Sequence, residues 1–404
     1  MPPTSAPTRA PTVTPRPSPR PSTPTPTPAP LPLTIWAAEE GEAFATLQRL
    51  VAAFADESGQ PVTLLSRPPA ALRASLISAE LIDAPPPDLI WGDQDDLAEL
   101  LAEGLLQPVD EAVDAELLLP AVVEGATRDG QRWGVPIMAQ GGLLLYYNRA
   151  IIATAPPTTD ALIVAARVAS NRERFGLLLP WGQPRWLMAL LHGFGGAPTD
   201  PSGTQLTLDT PAMVSALNLL VTLQGTLVDD PPLYGRSQRI FSQGFAGLTI
   251  DGDWAAATYR AYSMTLDLGI APLPITPATG QPAVGQLGGT YLMFWHTLAD
   301  PQRDRAIQLA RLLSEPAVQL ELAIAAGRLP ALRAALADPT LLADPARAAL
   351  AVSAEQARGL PPTKPMRCAL SAIEIRLGWL FAGDLTVQET AAAMQRDAED
   401  CATK

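Results

Sequence analysis

The stretch that decides the fold is Trp133–Arg149, which reads WGVPIMAQGGLLLYYNR. Its composition predicts two short extended segments joined by the pair Gly141–Gly142. Pro136 fixes its own φ and lacks an N–H, which places the first segment at a sheet edge or in a crossing between lobes. The apolar run after the glycines predicts a buried strand. The stretch fits a strand that crosses between two lobes, and it fits a Gly-bulged hairpin inside one sheet equally well.

Length and charge limit the possible functions. The chain has 404 residues, more than one compact core usually holds, so we expect two lobes. The net charge is −13. Phosphate-backbone binding needs a basic face, so the charge argues against nucleic acid and anionic membrane surfaces as partners. The sequence has no run of about 20 apolar residues, the length that a membrane-spanning helix needs.

The first 32 residues differ in composition from the rest. Residues 1–32 are rich in Pro, Thr and Ser and carry three arginines and no acidic residue. Such a segment cannot bury enough apolar surface to fold and favours extended polyproline II. It also lacks the apolar region of a signal peptide. We expect a disordered tether that holds the body off a membrane, behind a lipid anchor preceding residue 1. An ordinary disordered N-terminus is the alternative.

The two cysteines, Cys368 and Cys401, lie near the C-terminus. Neither belongs to a CxxC pair and the histidines are distant in sequence, so a zinc site has little support. We expect no metal and no cofactor. We favour a disulfide that ties the last helices together in an oxidising compartment. Two free buried cysteines are the alternative.

From residue 33 onward, short strands alternate with helices. Leu33–Ala37 predicts a strand, and the helix after it carries an apolar stripe at i, i+3, i+4 and i+7. Such alternation predicts βαβ units and a mostly parallel sheet. Further strands are predicted at 61–65, 88–91, 175–179, 245–250 and 268–272. Helices are predicted at 69–80, 95–103, 210–223 and through 370–380. Three more helices are predicted to begin at residue 300, at residue 315 and at the capping box 386–389.

Enzyme motifs have weak support. The residues around His192 read LLHGFGG, which looks like the oxyanion loop of α/β-hydrolases. That chemistry also needs a Gly-x-Ser-x-Gly elbow, which is absent, and a late histidine. The only later histidine, His296, is predicted to lie in an apolar strand. Tyr146 and Tyr147 resemble the tyrosine pair of iron-binding proteins, but successive strand residues face opposite sides, so at most one can face a given cleft.

Four tryptophans stand beside polar residues at predicted strand ends. Ligands of open α/β sheets bind beyond the carboxyl ends of the strands. Aromatic faces combined with carboxylate or amide groups suit a polyhydroxylated ligand, because C–H faces stack while hydroxyls need fixed partners. The alternative is that each tryptophan belongs to the core. The four are Trp36 (before Glu39 and Glu40), Trp91 (before Asp93), Trp181 (before Gln183 and Arg185) and Trp254 (after Asp253).

Seven segments resemble the extracytoplasmic solute-binding proteins of ABC importers, a family that includes sugar- and maltodextrin-binding members. The likeness begins with the crossing stretch, which is similar to the family's first crossover strand, and covers nearly all of the chain from residue 33. The other matching segments are DLIWG at 88–92, GDW at 252–254, GIAPLP at 269–274, the pair Gly288–Gly289 (second crossover), GRLP at 327–330 (third crossover) and AG followed by TVQE at 382–389.

The resemblance implies an α/β fold of two lobes, each a mostly parallel sheet flanked by helices, hinged by crossover strands. The first lobe would comprise 33–140 and 289–326, and the second 141–288 and 327–404. The ligand would bind between them without any catalytic residue. The residues expected at the cleft are Trp36, Glu39, Glu40, Trp91, Asp93, Gln140, Trp181, Gln183, Arg185, Asp253, Trp254, Gly288 and Gly289.

The function implied is that of a monomeric extracytoplasmic receptor that delivers a carbohydrate-like solute to the permease subunits of an ABC importer. Leu370 stands roughly where maltodextrin binders place an aromatic residue, and Arg185 where they place a stacking tyrosine, so an acidic or smaller sugar stays open. A surface-anchored glycan-active enzyme is the alternative from another class, with Asp93 and Asp253 as its carboxylate pair. The same fold could also bind a polyamine, an amino acid or a metal, or serve as a sensor that has lost transport.

Overall fold

The computed structural model describes residues 32–81, 85–224, 234–262 and 266–404. The predicted tether lies outside the described residues, apart from Pro32. The strands are β1 (Leu33–Ala37), β2 (Val62–Ser66), β3 (Leu89–Asp93), β4 (Leu106–Gln107), β5 (Thr127–Arg128), β6 (Gln131–Arg132), β7 (Val135–Gln140), β8 (Leu143–Asn148), β9 (Phe175–Leu178), β10 (Ala246–Gly252), β11 (Leu268–Ala271), β12 (Ile275–Thr276), β13 (Gln281–Pro282), β14 (Gly288–Trp295) and β15 (Leu329–Pro330).

Helices separate most of these strands, as the sequence predicts. The C-terminal helix begins at the predicted capping box, in which Thr386 and Glu389 each bond the other's backbone N–H. The helices are α1 (Gly41–Ser58), α2 (Pro69–Leu81), α3 (Gln94–Ala102), α4 (Pro120–Ala126), α5 (Thr159–Ala169), α6 (Pro184–Gly193), α7 (Pro211–Gln224), α8 (Tyr234–Ser242), α9 (Ala255–Arg260), α10 (Gln302–Leu313), α11 (Pro316–Ala326), α12 (Pro339–Leu342), α13 (Pro345–Ser353), α14 (Lys364–Ala382) and α15 (Val387–Thr403).

A seven-stranded sheet forms the first lobe, in the order β15-β7-β14-β3-β1-β2 with β4 paired to β14. Both faces of this sheet are buried. Along β14, Leu292 and Phe294 join one apolar cluster, while Tyr291 and Met293 join another on the opposite face. Any side chain inside a central strand of this lobe is therefore a core side chain.

A four-stranded sheet forms the second lobe, in the order β11-β8-β10-β9. The prediction that each sheet is mostly parallel is wrong. Among the strands that the structure describes in these two sheets, β1 pairs in parallel with β2 and β3, and β9 pairs in parallel with β10; the other strand pairs are antiparallel. The reason is that the chain leaves the first lobe along β7 and returns along β14, so these neighbours run in opposite directions.

The stretch 133–149 is a crossover between sheets. Its first half is β7 of the larger sheet and its second half is β8 of the smaller sheet, which excludes a hairpin inside one sheet. Gly141 has φ +84°, a conformation that residues with a side chain rarely adopt, and it turns the chain from one sheet into the other. The second crossover also matches the prediction, since β14 begins at Gly288.

The third predicted crossover, which begins at Gly327, needs correction. Leu329–Pro330 pairs with β7 and therefore stays in the larger sheet. Arg333 continues in the first lobe, where its Nη1 donates to the carbonyl of Glu116 at 3.0 Å. Further along the chain, α13 contacts β8 and β11 of the second lobe. We therefore propose that the lobe boundary lies after Arg333 rather than at 327, and we retain the other predicted boundaries as proposals.

The last two helices pack against each other and against α6 and α7 of the second lobe. Cys368 on α14 and Cys401 on α15 form a disulfide with a Cα–Cα distance of 5.7 Å. The sequence left two alternatives, a disulfide and two free buried cysteines, and the structure has the disulfide that we favoured. In the chain-entropy account, a loop of this size stabilises the fold by about 3–4 kcal/mol.

Candidate functional site

A cleft of about 500 Å³ lies where the two sheets meet. Residues of both lobes and of two crossovers surround it, so it is the interlobe cleft that the sequence predicts. The residues that line it are Asp93, Gln94, Asp95, Gln140, Gly141, Arg185, Asp253, Trp254, Gln286, Gly288, Ala326, Gly327, Arg328 and Leu360.

The end of β3 supplies the acidic part of the first-lobe wall. Asp93 is the N-cap of α3, and its Oδ1 accepts the N–H groups of Asp95 and Asp96 at 2.9 and 3.0 Å. Asp96 accepts the N–H of Asp93 in return at 3.2 Å, which completes a capping box. Burial, followed by the charge of Asp93, raises the pKa of Asp95 and raises that of Asp96 to about 7. Burial and the neighbouring carboxylate therefore both oppose ionisation of Asp95 and Asp96.

Arg328 supplies a cation on the same wall. Its guanidinium pairs with Glu39, with Nη1 at 2.6 Å from Oε2 and Nη2 at 3.3 Å from Oε1. The Nε1 of Trp91 also donates to Glu39, at 3.4 Å. Glu39 is 7% exposed and lies behind Arg328, so it fixes the arginine instead of lining the cleft. Such forked pairs hold a guanidinium in one orientation.

Trp254 supplies the exposed aromatic face of the second-lobe wall. The side chain is 46% exposed, and the guanidinium carbon of Arg185 lies 5.4 Å from its ring centroid. Arg185 donates through Nη1 to the carbonyl of Gly141 at 2.7 Å. Trp254 sits at the start of α9, just after β10, where a side chain leaves the sheet. This position presents the ring to the cleft.

Asp253 ties this wall to the first crossover. Its carboxylate accepts the N–H of Gly141 at 3.1 and 3.2 Å and the N–H of Trp254 at 2.9 Å. Together with Arg185, it holds both the N–H and the carbonyl of Gly141. Burial raises the pKa of Asp253 to about 6, against the lowering effect of these hydrogen bonds.

Six of the thirteen predicted cleft residues line the cleft, and the other seven lie outside its lining. The six that line the cleft are Asp93, Gln140, Arg185, Asp253, Trp254 and Gly288. Whether they contact a ligand stays a prediction. The seven outside the lining are Trp36, Glu39, Glu40, Trp91, Trp181, Gln183 and Gly289.

Two of the predicted tryptophans are corrected to core residues. Trp91 is 1% exposed because it lies inside β3, whose two faces are both covered. Trp181 is 2% exposed and lies 6.2 Å from the ring of Phe381. Trp36 is half-buried, and the guanidinium of Arg67 covers its ring at 4.5 Å. All three tryptophans lie outside the cleft lining.

The other exclusions follow from chain position. Glu40 and Gln183 are exposed residues that immediately precede α1 and α6, and neither side chain caps its helix. Gly289 is buried inside β14, where an added Cβ would lie 2.3 Å from the ring of Tyr291.

Sequence reasoning missed several lining residues. Gln94 and Asp95 directly follow Asp93, so the start of a helix at a strand end could have predicted them. Arg328 lies within the GRLP segment that was assigned only a hinge role. Gln286 and Leu360 belong to irregular segments, and no local pattern points to them.

The enzyme-like motifs take structural roles. His192 lies in α6, is buried, and its Nδ1 is 2.9 Å from the carbonyl of Val284; burial lowers its pKa to about 4. His296 was predicted inside a strand, but β14 ends at Trp295 and the histidine is exposed, 3.7 Å from Glu80. Tyr146 is buried, and it and Tyr147 pack against different clusters, as the strand alternation predicts.

The described parts of the chain contain neither a candidate metal-binding cluster nor a candidate membrane-spanning helix. Among those residues, no group of three or more His, Cys, Asp or Glu side chains is placed to hold a metal ion. None of the helices described is both long and apolar enough to cross a membrane.

Residues 49–349 match the family model of the bacterial extracellular solute-binding proteins. The chain belongs to this family. The family's extracellular character places the protein outside the cytoplasm, and the predicted resemblance is confirmed.

Two relatives of this chain are named as sugar-binding proteins. The maltotriose-binding protein of Pyrococcus abyssi (strain GE5 / Orsay) is 24% identical over 294 residues, which are 71% of this chain and 64% of that protein. The maltodextrin-binding protein MdxE of Bacillus subtilis (strain 168) is 29% identical over 169 residues, 38% of this chain and 40% of that protein. The matches therefore span less than two thirds of the length of either relative.

Solved structures of other binding proteins share the two-lobed fold. A cyclo/maltodextrin-binding protein complexed with maltotetraose superposes with a TM-score of 0.81 at 20% identity, covering 93% of this chain and 98% of that one. MalE of Listeria monocytogenes in complex with maltose also gives 0.81, at 19% identity, covering 92% and 98%. At these identities the likeness concerns the fold, which confirms the predicted α/β architecture of two lobes.

Proposed function

We propose that this protein is the substrate-binding receptor of an ABC importer, that it captures a neutral oligosaccharide in the interlobe cleft, and that it delivers the sugar to membrane permease subunits. The observation that carries the proposal is the exposed ring of Trp254 in a cleft that also holds carboxylates and guanidinium groups. An aromatic face stacks on the C–H face of a sugar, and fixed charged groups bond its hydroxyls.

Several observations favour a neutral sugar over an acidic one. The cleft lining holds three carboxylates, Asp93, Asp95 and Asp253, and two guanidinium groups. Glu39 already pairs with Arg328. An added carboxylate on the ligand would therefore meet excess negative charge, and like charges raise the cost of binding. The relatives named for maltotriose and maltodextrin support a maltooligosaccharide as the first ligand to test.

The mechanism we propose is closure of the lobes about the crossovers. A ligand that contacts both walls binds the closed state more tightly than the open one, and this difference in affinity drives closure. Trp254 and Arg185 lie on one wall and Arg328 and Asp95 on the other, so one oligosaccharide could bridge them. We propose that the receptor works as a monomer that is held at the membrane surface by a lipid anchor.

The glycan-active enzyme is the second candidate, because burial raises the pKa of Asp253 to about 6, a value suited to a general acid. The structural role of Asp253 argues against the enzyme. The carboxylate accepts backbone N–H groups from Gly141 and Trp254, and Asp93 likewise caps α3. These bonds stabilise the ionised carboxylate, so they oppose its holding a proton for transfer to a glycosidic oxygen.

The test is calorimetric titration with maltose, maltotriose, maltotetraose, a uronic-acid oligosaccharide, an amino acid and a polyamine. Saturable binding of the neutral sugars alone, with no reducing ends released on prolonged incubation, supports the receptor. Small-angle X-ray scattering with the bound sugar should show a smaller radius of gyration. Release of reducing ends would support the enzyme, and binding of only the polyamine or the amino acid would refute the sugar.

A further inference from the structure

The ring of Trp254 is held from behind by contacts that leave it half-exposed. Its Nε1 donates to the hydroxyl of Tyr234 at 2.7 Å. A Cβ added to Gly252 would lie 2.1 Å from Cζ3 of the ring, so the ring occupies the space beside that glycine. The backbone N–H of Trp254 is bonded to Asp253 at 2.9 Å. The indole N–H is therefore already used, and a ligand can meet only the face and edge of the ring.

Tyr234 is itself fixed from inside the second lobe. Its hydroxyl donates to Oδ1 of Asp251 at 2.8 Å and accepts from Nε2 of Gln238 at 2.7 Å. Asp251 is 1% exposed and also accepts the hydroxyl of Tyr259 at 2.5 Å. Burial, followed by the charge of Asp251, raises the pKa of Tyr234, so its hydroxyl stays protonated and remains a donor at neutral pH. Because that proton points to the carboxylate, the oxygen lone pairs are left to accept the indole N–H.

We infer that Tyr234 is a positioning residue of the cleft: through its bond to the indole N–H it fixes the plane of the ring on which the sugar stacks. A ring that is oriented before binding loses less conformational freedom when the ligand arrives, and the complex is correspondingly tighter. This inference rests on the proposed function, because it concerns the same cleft.

The structure provides a matched pair of variants. Tyr234→Phe removes the hydroxyl that bonds Asp251, Gln238 and Trp254, whereas Tyr259→Phe removes one that bonds Asp251 but not Trp254. With maltotriose as the probe, we expect Tyr234→Phe to weaken binding about tenfold and Tyr259→Phe by less than about twofold. Equal losses for the two variants would refute the inference, because the effect would then belong to Asp251. Unchanged affinity in Tyr234→Phe would also refute it.

A second readout needs no ligand. The fluorescence of Trp254 is obtained as the difference between each protein and its Trp254→Phe counterpart. We expect this difference signal to show greater acrylamide quenching and lower anisotropy in Tyr234→Phe, and no such change in Tyr259→Phe. If the quenching and the anisotropy of this signal in Tyr234→Phe equal those of the wild type, the inference is overturned. If the wild-type protein does not bind maltotriose, the proposed ligand fails, and this readout still decides the role of Tyr234.

Gly252→Ala tests the same ring from its other side. The added methyl group would displace the indole from Gly252, so we expect a loss of maltotriose affinity comparable to that of Tyr234→Phe. This variant decides the inference if Tyr234→Phe does not fold. Wild-type affinity in a folded Gly252→Ala protein would show that the plane of the ring does not matter, and would overturn the inference.

Discussion

The first lobe carries Trp-Gly-Asp at the end of β3, and the second carries Gly-Asp-Trp from the last residue of β10 onward, so the same three residue types occur in different orders at two strand ends beside the cleft. Trp91 precedes the glycine and is 1% exposed, whereas Trp254 follows the aspartate and is 46% exposed. A tryptophan inside a strand covered on both faces must be core. One placed two residues beyond the strand, at the start of a helix, can face the ligand.

The two aspartates differ in the same way. Asp93 bonds N–H groups of the helix that follows it, and so begins α3. Asp253 bonds the N–H of Gly141, 112 residues earlier, and so fixes a crossover between lobes. The comparison teaches that a carboxylate at a strand end can serve a local or a distant partner, and that its residue type does not reveal which.

The largest expected effect separates the two tryptophans by stability. Trp91→Ala should lower the free energy of unfolding by about 3–5 kcal/mol, because it removes a buried aromatic side chain and leaves a cavity. Trp254→Ala should lower it by less than about 1 kcal/mol, because nearly half of the ring is already exposed to solvent. Urea denaturation of the three proteins measures both values. Similar losses in the two variants would contradict the assignment of one ring to the core and the other to the cleft.

A second effect sharpens the comparison through pH. The pKa of Asp253 is raised from 3.8 to about 6 in the folded protein, so between these pH values the folded state binds more protons than the unfolded state. The free energy of unfolding should therefore fall as the pH rises from about 4 to 6, by on the order of 3 kcal/mol at most. Asp253→Asn should remove this contribution, as measured by urea denaturation across that range.

Asp96 of the first lobe is the control for this titration. Its pKa is raised to about 7, so its contribution to the free energy of unfolding should continue to fall until about pH 7. This part of the pH dependence should remain in the Asp253→Asn variant. Asp96→Asn should flatten the curve between pH 6 and 7 and keep the slope attributed to Asp253. If neither variant changes the pH dependence, then these two carboxyl groups do not titrate where the structure places them.

The third effect separates the tryptophans by ligand affinity. Trp254→Ala should weaken maltotriose binding by about 2 kcal/mol, roughly thirtyfold, because the stacking face is lost. Trp91→Phe keeps an aromatic ring in the core and should bind almost as the wild type does. Calorimetric titration decides between them, and a stronger effect in Trp91→Phe would reverse the assignment of the two rings.

The smallest effect concerns Gln183, which the sequence placed in the cleft beside Arg185. The structure places it at an exposed position outside the lining, so Gln183→Ala should change maltotriose affinity by less than about twofold. Gln140→Ala alters a residue that does line the cleft and serves as the comparison. An equal and substantial loss in both variants, again by calorimetry, would put Gln183 in contact with the ligand.

Much of the fold was readable in the sequence because local signals agreed with the tertiary structure. The glycine pair at 141–142 interrupts two apolar runs, and the chain changes sheets there. The capping box at Thr386 begins the last helix where predicted. Strand direction was not readable, since β7 and β14 become antiparallel neighbours only when the chain returns from the second lobe.

What the sequence determined by itself is many of the longer strands and helices, the two lobes, the family and the presence of tryptophan, aspartate and arginine at strand ends. Only the tertiary structure decided which of these side chains meet in the cleft. Trp254 lines it because Gly252 leaves space for the ring and Tyr234 bonds its N–H. Trp91 does not, because helices cover both faces of its sheet. Local patterns specify how a segment folds, whereas burial and long-range hydrogen bonds depend on residues far away in the chain.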